Sequence, residues 1–365
     1  MTTSTDTTYM RRAIRLAERG RGLASPNPPV GALVVRDGRI VGQGFHRGPG
    51  TSHAEVDAIE AAGDACRGAA LYLTLEPCTH QGRTPPCAPR VIAAGFARVV
   101  VGTTDPNPLV DGRGVAALRD AGIEVSLGVE QDHAERLIQS FSKYIRTKRP
   151  FVTAKIAVSL DGRAAAADGS SQWITGPTAR RDSHRMRAGA DAVLVGIGTV
   201  LRDDPQLTVR LRGYRGRRPL RVVLDSSCRT PLDAAVLGDE APTLIVTTEK
   251  ATQDAEDALR ARGAEVMRVP ARDGRVDLAA VLEALGRREV TNLMIEGGPT
   301  VLGDTVERGF ADRYVFYVAP KLLGSGGPSA VSALVAPTIS DARELRVESV
   351  RHMGADLKIE AYPRS

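Results

Sequence analysis

Long hydrophobic runs, cysteines and aromatic residues are all scarce in this chain of 365 residues. No apolar run approaches the roughly 20 residues that a membrane-spanning helix needs. The first twenty residues lack the apolar core of a secretory signal. Four cysteines form no disulfide framework in a chain of this length, which is typical of a reducing compartment. We therefore expect a cytoplasmic protein rather than a membrane or secreted one.

Positive charge is present but dispersed along the chain. Lys and Arg number 49 against 43 Asp and Glu, which gives a net charge of +6 and favours anionic partners. Aromatic residues make up only 4% of the chain, so stacking platforms for single-stranded nucleic acid are few. We expect the partner to be a phosphorylated small molecule, and neither nucleic acid nor a membrane.

The first part of the chain has the pattern of a layered α/β domain. A helix is predicted near residues 8–20, and PVGALVVRDGRIVGQGFH predicts a hairpin that turns at Asp37-Gly38, a pair suited to a type I′ turn. Repeated αβ units then indicate a sheet whose final part is largely parallel. The predicted helices lie near 53–63, 88–94 and 114–121 and from 130, and the strands at 69–75, 97–102 and 123–128.

The pattern restarts after Pro150, and IRTKRP (145–150) is the predicted linker. A chain this long exceeds what one hydrophobic core usually supports, so we expect two domains, residues 1–148 and 149–365. The second is predicted to be a mixed sheet flanked by helices. Its strands are expected at 151–158, 191–196, 220–225, 243–248, 264–269, 290–295 and 313–319, its clearest helices at 277–287 and 299–308, and a closing hairpin at 344–351 and 356–362.

Three residues of the first domain have the types and order of a catalytic zinc site. TSHAEVDAIEAA places His53 at a helix start, with Thr51 and Ser52 as possible caps, and LTLEPCTHQGRTPPC supplies Cys78 and Cys87. One His and two Cys leave the fourth tetrahedral position of zinc open for water, whose pKa the metal lowers. A disulfide between the cysteines, or a simple turn, is the alternative for this loop.

Glu55 has the right type and position to move a proton beside such a metal. Residues two apart point in different directions within a helix, so His53 and Glu55 converge only if they lie in its irregular first turn. His-x-Glu followed by Pro-Cys and Cys is the signature of zinc-dependent deaminases. Most nucleoside deaminases separate the two cysteines by two residues, whereas this chain separates them by eight.

These motifs resemble a known family. HAEVDAIEAAGD, YLTLEPCTHQGRTPPC and VGTTDPNPLVDGRG are similar to the bifunctional deaminase/reductase of bacterial riboflavin biosynthesis, and the similarity continues through KIAVSLDGRAAAADGSSQWITGPTARRDSHRMRAGADAVLVGIGTVLRDDPQLTVR and LMIEGGPTVLG. The resemblance implies a cytidine-deaminase-like three-layer domain followed by a dihydrofolate-reductase-like domain. The first would hydrolyse the ring amine of 2,5-diamino-6-(5-phosphoribosylamino)pyrimidin-4-one with one zinc ion, and the second would use NADPH to reduce the ribosyl group to ribityl.

Roles for residues of the first domain follow from the resemblance. His53, Cys78 and Cys87 would be the zinc ligands and Glu55 the proton shuttle. Asn27, Asp105 and Asn107 would contact the deaminase substrate. Two further residues are expected there from their positions in the sequence: His46 lies close enough to the motif to line the site, and Arg83, in the loop between the cysteines, would meet the substrate's phosphate. The family also implies a homo-oligomer, a dimer or larger.

The sequence of the second domain, taken without the resemblance, indicates its ligands less clearly. It lacks the G-x-G-x-x-G of a Rossmann site, but VGIGTV and EGGPTVLG each follow an apolar strand and lead towards a helix. N–H groups at such helix starts bind phosphate. Arg187 and Arg210 have the chemistry to hold a phosphate, and Trp173, taken alone, is expected in a core.

The resemblance assigns the second domain's residues to two ligands. For NADPH they are Ala157, Trp173, Thr199, Asp203, Ser226, Gly298, Pro299 and Thr300. For the ribosyl phosphate substrate they are Ser171, Arg187, Leu207, Arg210 and Glu296. Lys155 is expected at this site for a different reason: it alternates with apolar residues on an inner strand, from which it would assist the ring-opened ribosyl carbonyl or imine.

Two other functions compete with this prediction. One is a nucleoside- or nucleic-acid-editing zinc deaminase fused to an unrelated domain, which the long cysteine spacing and the few aromatic residues disfavour. The other is a zinc-stabilised binding protein without chemistry, which would have no need of Glu55.

Overall fold

The computed structural model describes residues 4–81, 84–331 and 336–364. The chain divides into two compact units, Met1–Lys148 and Arg149–Ser365. No helix in the described ranges is long and apolar enough to cross a membrane.

The first unit alternates helices and strands as predicted. Asp37 and Gly38 both have positive φ, as a type I′ turn requires, and they join the first two strands. The elements are α1 (Ser4–Ala17), β1 (Gly31–Arg36), β2 (Arg39–Phe45), α2 (Ala54–Ala62), β3 (Ala70–Leu75), α3 (Ala88–Ala93), β4 (Arg98–Thr103), α4 (Arg113–Asp120), β5 (Glu124–Leu127) and α5 (Gln131–Thr147).

The five strands form one sheet in the order β2-β1-β3-β4-β5. β1 pairs antiparallel with β2 and β3, while β3, β4 and β5 run parallel. Successive strand residues face opposite sides, so Leu71 and Leu73 pack in the cluster that includes residues of α2, α3 and α4. Tyr72 packs with Met10 and Ala13 of α1 on the other face. The result is a three-layer unit.

Two glycines of β2 let α2 lie directly on the sheet. A Cβ at Gly44 would come 2.2 Å from the carbonyl oxygen of Ala54, and a Cβ at Gly42 would come 2.3 Å from that of Ala58. Any larger side chain would therefore push the helix away. This close packing fixes the start of α2, where His53 and Glu55 lie.

The second unit is built on a nine-stranded mixed sheet, of order β10-β9-β8-β7-β13-β6-β14-β16-β15. All pairings are parallel except those of β16 with β14 and β15. The elements are β6 (Phe151–Ser159), α6 (Pro177–Ala188), β7 (Ala192–Gly196), α7 (Ile197–Asp203), β8 (Leu220–Leu224), β9 (Thr243–Thr247), α8 (Gln253–Ala261), β10 (Glu265–Arg268), β11 (Ala271–Arg272), β12 (Arg275–Val276), α9 (Leu278–Arg287), β13 (Asn292–Ile295), α10 (Pro299–Glu307), β14 (Arg313–Ala319), β15 (Leu345–Met353) and β16 (Asp356–Pro363).

The central strands β7 and β13 are covered on both faces. Leu194 and Ile295 pack in one buried cluster, whereas Val193, Val195 and Met294 pack in another on the opposite face. Parallel strands buried on both faces have near-continuous apolar sequences, as AVLVG and NLMI do. Their carboxyl ends open at one edge of the sheet, where ligand sites of α/β folds are expected.

Two local predictions were wrong. IRTKRP is not a linker along its length, because α5 continues to Thr147 and β6 begins at Phe151. Thr51 and Ser52 do not cap α2: the N-cap position is His53, and its side chain makes no capping hydrogen bond. The hydroxyl of Thr51 donates instead to the carbonyl of Gly48.

Candidate active sites

His53, Cys78 and Cys87 meet at one point in the first unit. Their ligand atoms all lie within 4.8 Å of one another. Nδ1 of His53 is 3.0 Å from Sγ of Cys87 and 3.7 Å from Sγ of Cys78, and the loop bringing Cys87 back is closed by a hydrogen bond from its N–H to the carbonyl of Cys78. All four cysteines are free. An imidazole and two thiols in this arrangement fit a zinc ion with three protein ligands.

Two further contacts orient these ligands. Nε2 of His53 lies 3.1 Å from Oγ1 of Thr84, which leaves Nδ1 turned towards the sulfurs. A thiol hydrogen bond from Cys87 lowers the pKa of Cys78 to about 4. A readily ionised thiol is what a metal ligand requires, because the thiolate is the coordinating form.

Glu55 lies in the first turn of α2, one residue beyond Ala54 and next to the cluster. His53 has extended backbone angles at the N-cap, and the Glu55 carboxyl interacts with both His53 and Cys87, so the two side chains converge as predicted. The Glu55 carboxyl is buried. Burial raises its pKa, and the nearby His53 opposes that rise. A carboxyl with a raised pKa is suited to accept a proton from water and pass it on.

His46 and Asn27 form a pair beside His53. The Nδ2 amide of Asn27 donates to Nε2 of His46 at 3.1 Å, so Nδ1 of His46 carries the proton and donates to the carbonyl of Ser52 at 3.2 Å. Burial lowers the pKa of His46, which agrees with this neutral form. The His46 and His53 rings meet edge to face with centroids 5.2 Å apart.

Asp105 and Asn107 follow β4 at the carboxyl end of the sheet. Oδ1 of Asp105 accepts the N–H of Asn107 at 2.8 Å. Burial raises the pKa of Asp105 to about 6, although the hydrogen bond from Asn107 lowers it. Arg83, predicted to contact the same substrate, lies outside the described residues.

A cavity of about 710 Å³ lies in the second unit. It opens at the carboxyl ends of β6, β7 and β13, where the apolar strands end in polar and glycine residues. The predicted residues among its lining are Lys155, Ala157, Ser171, Trp173, Arg187, Thr199, Asp203, Leu207, Arg210, Glu296, Gly298, Pro299 and Thr300.

Ser226 is the predicted cofactor residue that the cavity lining does not include. It follows β8, and its hydroxyl accepts the N–H of Val276 at 3.1 Å. The expectation that Trp173 lies in a core was wrong, since its side chain is 57% exposed. The guanidinium of Arg180 lies 4.4 Å from the centre of its ring.

The floor of this cavity holds a buried charge cluster. Arg187 donates through Nε and Nη2 to both carboxylate oxygens of Glu296, the Nη2 contact being 3.0 Å. Nζ of Lys155 lies 3.7 Å from the same carboxylate. Burial would raise the pKa of Glu296, but Arg187 and Lys155 lower it to about 2. Burial lowers the pKa of Lys155, and Glu296 opposes that effect.

All three nitrogens of the Arg187 guanidinium therefore donate within the protein. Its remaining Nη1 donates to the carbonyl of Thr208 at 2.9 Å. Arg210, in contrast, is exposed, and its Nη1 donates a hydrogen bond to the side-chain oxygen of Gln206 at 3.0 Å. Of the two arginines expected to hold a phosphate, Arg210 is the exposed one, whereas Arg187 is paired with a buried carboxylate.

Hydrogen bonds hold together the loops around the glycine-containing segments VGIGTV and EGGPTVLG. Oγ1 of Thr199 accepts the N–H of Gly298 at 3.1 Å, and the hydroxyl of Ser171 donates to Asp203 at 3.1 Å. Pro299 takes the first position of α10, as predicted. The first turns of α7 and α10 thus lie side by side at the cavity.

Comparisons with known proteins agree along the whole chain. The family model described as the RibD C-terminal domain matches residues 150–359. The model described as the cytidine and deoxycytidylate deaminase zinc-binding region matches residues 3–103.

Curated relatives and solved structures cover nearly the full length. The riboflavin biosynthesis protein RibD of Aquifex aeolicus is 44% identical over 355 residues, 97% of each chain. That of Escherichia coli is 40% identical over 363 residues, 96% of this chain and 98% of the relative. The structure of a diaminohydroxyphosphoribosylaminopyrimidine deaminase/5-amino-6-(5-phosphoribosylamino)uracil reductase from Thermotoga maritima is 37% identical, covers 99% of both chains and has a TM-score of 0.87.

Proposed function

This chain belongs to the RibD family, and from that premise we propose which of its residues carry the family's two reactions. The chain is a bifunctional riboflavin-biosynthesis enzyme, a zinc-dependent deaminase and an NADPH-dependent reductase. The predicted family and fold class are confirmed. The competing prediction, an editing deaminase fused to an unrelated domain, is wrong, because the second half matches the RibD C-terminal domain.

For the deamination, the observation that carries the proposal is the meeting of His53, Cys78 and Cys87. These three would hold the zinc ion, which when bound supplies Lewis-acid activation of the attacking water. Glu55 would take a proton from that water and give it to the leaving ring amine. Its burial favours the protonated form that the second transfer needs.

The remaining residues of this site would orient the pyrimidine substrate. The amide of Asn27 is held by His46, and Asp105 and Asn107 present polar groups at the end of β4. Arg83 is proposed to meet the substrate's phosphate, on the strength of its place in the long loop between the cysteines.

For the reduction, we place both the nicotinamide cofactor and the ribosyl substrate in the 710 Å³ cavity. NADPH when bound supplies the hydride that reduces the ribosyl carbon. Lys155 would donate the proton that the adjacent nitrogen or oxygen takes up, and the neighbouring carboxylate of Glu296 would favour its charged form. Arg210 would bind the substrate phosphate, while Arg187 holds Glu296 in place.

Ala157, Trp173, Thr199 and Asp203 would contact NADPH, and the start of α10 from Gly298 to Thr300 would receive its phosphates. Ser171 and Leu207 would face the ribosyl group. Ser226 is proposed to contact a part of the cofactor that extends beyond this cavity.

We further propose that residues 1–148 are the deaminase domain and 149–365 the reductase domain, as the two compact units support. A cytoplasmic location is supported by the four free cysteines. A homo-oligomer is supported by β15, which lies at the edge of its sheet with Val347 and Val350 exposed. Light scattering of the full chain tests the last point.

Replacing Glu55 by Gln tests the proton-transfer role. The variant should retain about one zinc per chain while ammonia release falls by a factor of roughly 10²–10⁴. Glu60→Gln, on the exposed side of the same helix, should behave like the wild type. Ammonia release retained in Glu55→Gln would remove Glu55 from its role.

A further inference from the structure

Glu76 is a buried acid at the centre of the first unit, immediately after β3 and two residues before Cys78. Its side chain is 3% exposed. Its carboxylate accepts hydrogen bonds from four main-chain N–H groups: Oε1 accepts from Asp105 and Gly112, both at 2.7 Å, and Oε2 accepts from Gly114 at 3.1 Å and Val115 at 3.2 Å.

These donors belong to segments far apart in sequence. Asp105 starts the loop that carries Asn107, and Oδ1 of Asp105 in turn accepts the N–H of Asn107. Gly112 is the N-cap of α4, and Gly114 and Val115 lie in its first turn. The partial positive charge at a helix start stabilises a carboxylate, so the start of α4 favours the charged form of Glu76 at this buried position.

The start of α4 also presses on the chain that leads into Cys78. A Cβ at Gly114 would come 2.1 Å from the carbonyl oxygen of Pro77. Glu76 therefore joins three parts of the site: the segment entering Cys78, the Asp105–Asn107 loop and the first turn of α4. Removing its charge would weaken this link between the loop and the metal-binding segment.

We propose that Glu76 is a positioning residue of the deaminase, which holds the Asp105–Asn107 loop at a fixed place relative to Cys78. It does not touch the reacting atoms. The inference rests on the proposed roles of Cys78 as a zinc ligand and of Asp105 and Asn107 as substrate contacts. Its effect is expected on substrate binding, because the loop it holds faces the substrate and Cys78 keeps its own side-chain partners.

Glu76→Gln is the sharpest test, because it keeps the shape and replaces one carboxylate oxygen by an NH₂ group. That group faces two N–H donors whichever way the amide turns. Hydrogen bonds to charged acceptors are the stronger class, so we expect the KM of the diamino substrate in ammonia release to rise by about tenfold or more. Zinc content and NADPH oxidation with the deaminated substrate should match the wild type. Glu124→Gln, an exposed acid on β5, is the matched control.

The KM separates positioning from a purely structural role. A variant that unfolds at lower temperature but keeps its deaminase KM overturns the proposal. So does a variant whose zinc content and kcat fall in proportion while its KM stays at the wild-type value. If Glu76→Gln yields no folded chain, Gly114→Ala decides. Its Cβ would displace α4 from Pro77, so a raised KM supports the proposal and a wild-type KM overturns it.

Asp105→Asn distinguishes this inference from the proposed function. If Asp105→Asn leaves the KM unchanged, the substrate-contact assignment fails. If Asp105→Asn raises the KM while Glu76→Gln does not, the substrate contact stands and the positioning role fails.

Discussion

Nδ1 of His53 lies 3.0 Å from Sγ of Cys87, although the two residues are 34 positions apart in the sequence. Two structural features produce this contact. The glycines of β2 let α2 lie close to the sheet, and the loop after Cys78 returns to the N-cap of α3. The metal site therefore exists only in the folded unit, and each ligand should be needed to retain the ion.

Replacing Cys87 by Ser should remove zinc from the chain. The hydroxyl of Ser stays protonated at neutral pH and is a poor zinc ligand compared with a thiolate. We expect zinc to fall well below one per chain and ammonia release to be lost, whereas NADPH oxidation with the deaminated substrate persists. Metal analysis of dialysed protein measures this outcome.

Cys66→Ser is the matched control. Cys66 is buried, and its thiol donates to the carbonyl of Ile59, a bond that a hydroxyl can replace. Zinc should stay near one per chain. Equal zinc content in Cys87→Ser and Cys66→Ser would remove Cys87 from the ligand set.

Glu296→Gln should shift the pH profile of the reductase. Burial already lowers the pKa of Lys155, and the negative charge of Glu296 opposes that effect. Without this charge the pKa falls further, so the basic limb of kcat/KM should move to lower pH if the charged Lys155 is the active form. The change also removes the negative charge that neutralises Arg187, and breaking a buried ion pair costs about 3 kcal/mol of stability.

Glu283→Gln provides the comparison, since that acid is half exposed and pairs with Arg149. Surface pairs contribute little, so its pH profile should equal the wild type. A basic limb that stays in place in Glu296→Gln would separate Lys155 from the proton transfer.

Titration of His184 should lower the free energy of unfolding of the chain in mild acid. Nδ1 of His184 accepts the N–H of Arg210 at 3.3 Å. Burial, with Arg187 and Arg210 nearby, lowers its pKa to about 4 from 6.5, although Glu296 acts in the opposite direction. The unfolded chain therefore binds this proton first, and stability falls as the pH drops from about 6.5 towards 4.

His184→Asn keeps an acceptor oxygen near the Nδ1 position and removes the titration. Chemical denaturation at several pH values should show a smaller loss of stability for the variant than for the wild type over this interval. Parallel curves for the two proteins would contradict the prediction.

Arg210→Gln should weaken binding of the phosphorylated substrate in the reductase reaction. Because Arg210 is exposed at the cavity and proposed to meet the phosphate, KM should rise by about tenfold, while a phosphate-free analogue is bound equally by both proteins. Arg212→Gln removes the same charge two residues away, outside the cavity lining, and should change KM little. An equal rise of KM in both variants would contradict a direct contact of Arg210 with the phosphate, because it would show that only the net positive charge of this region matters.

Much of the fold was predictable because it follows from local rules. The Asp37-Gly38 pair determined the first hairpin, and the apolar strands of both units stand within one or two residues of their predicted positions. The predicted linker begins too early, at residue 145, because the last turn of α5 leads into a basic stretch that does not continue the apolar pattern of the helix. In PTARRDSHRMRA the buried residues are only Ala179 and Ser183, so α6 gives almost no hydrophobic periodicity.

The functional residues also divide into those that a sequence motif indicates and those that only the fold brings together. A sequence signature could indicate His53, Cys78 and Cys87 as a set, since their order and types are characteristic. Glu76 carried no such signal, because its partners are main-chain groups up to 39 residues away. The pairing of Arg187 with Glu296 spans 109 residues, and only tertiary structure shows that it occupies the guanidinium.

The most direct test of the whole account follows ammonia and NADPH together in the full chain, for the wild type and for Glu55→Gln. With the diamino substrate, the wild type should release one ammonia for each NADPH oxidised, and Glu55→Gln should do neither. With the deaminated substrate, both proteins should oxidise NADPH at the same rate. NADPH oxidation by Glu55→Gln from the diamino substrate, or none by either protein from the deaminated one, would contradict it.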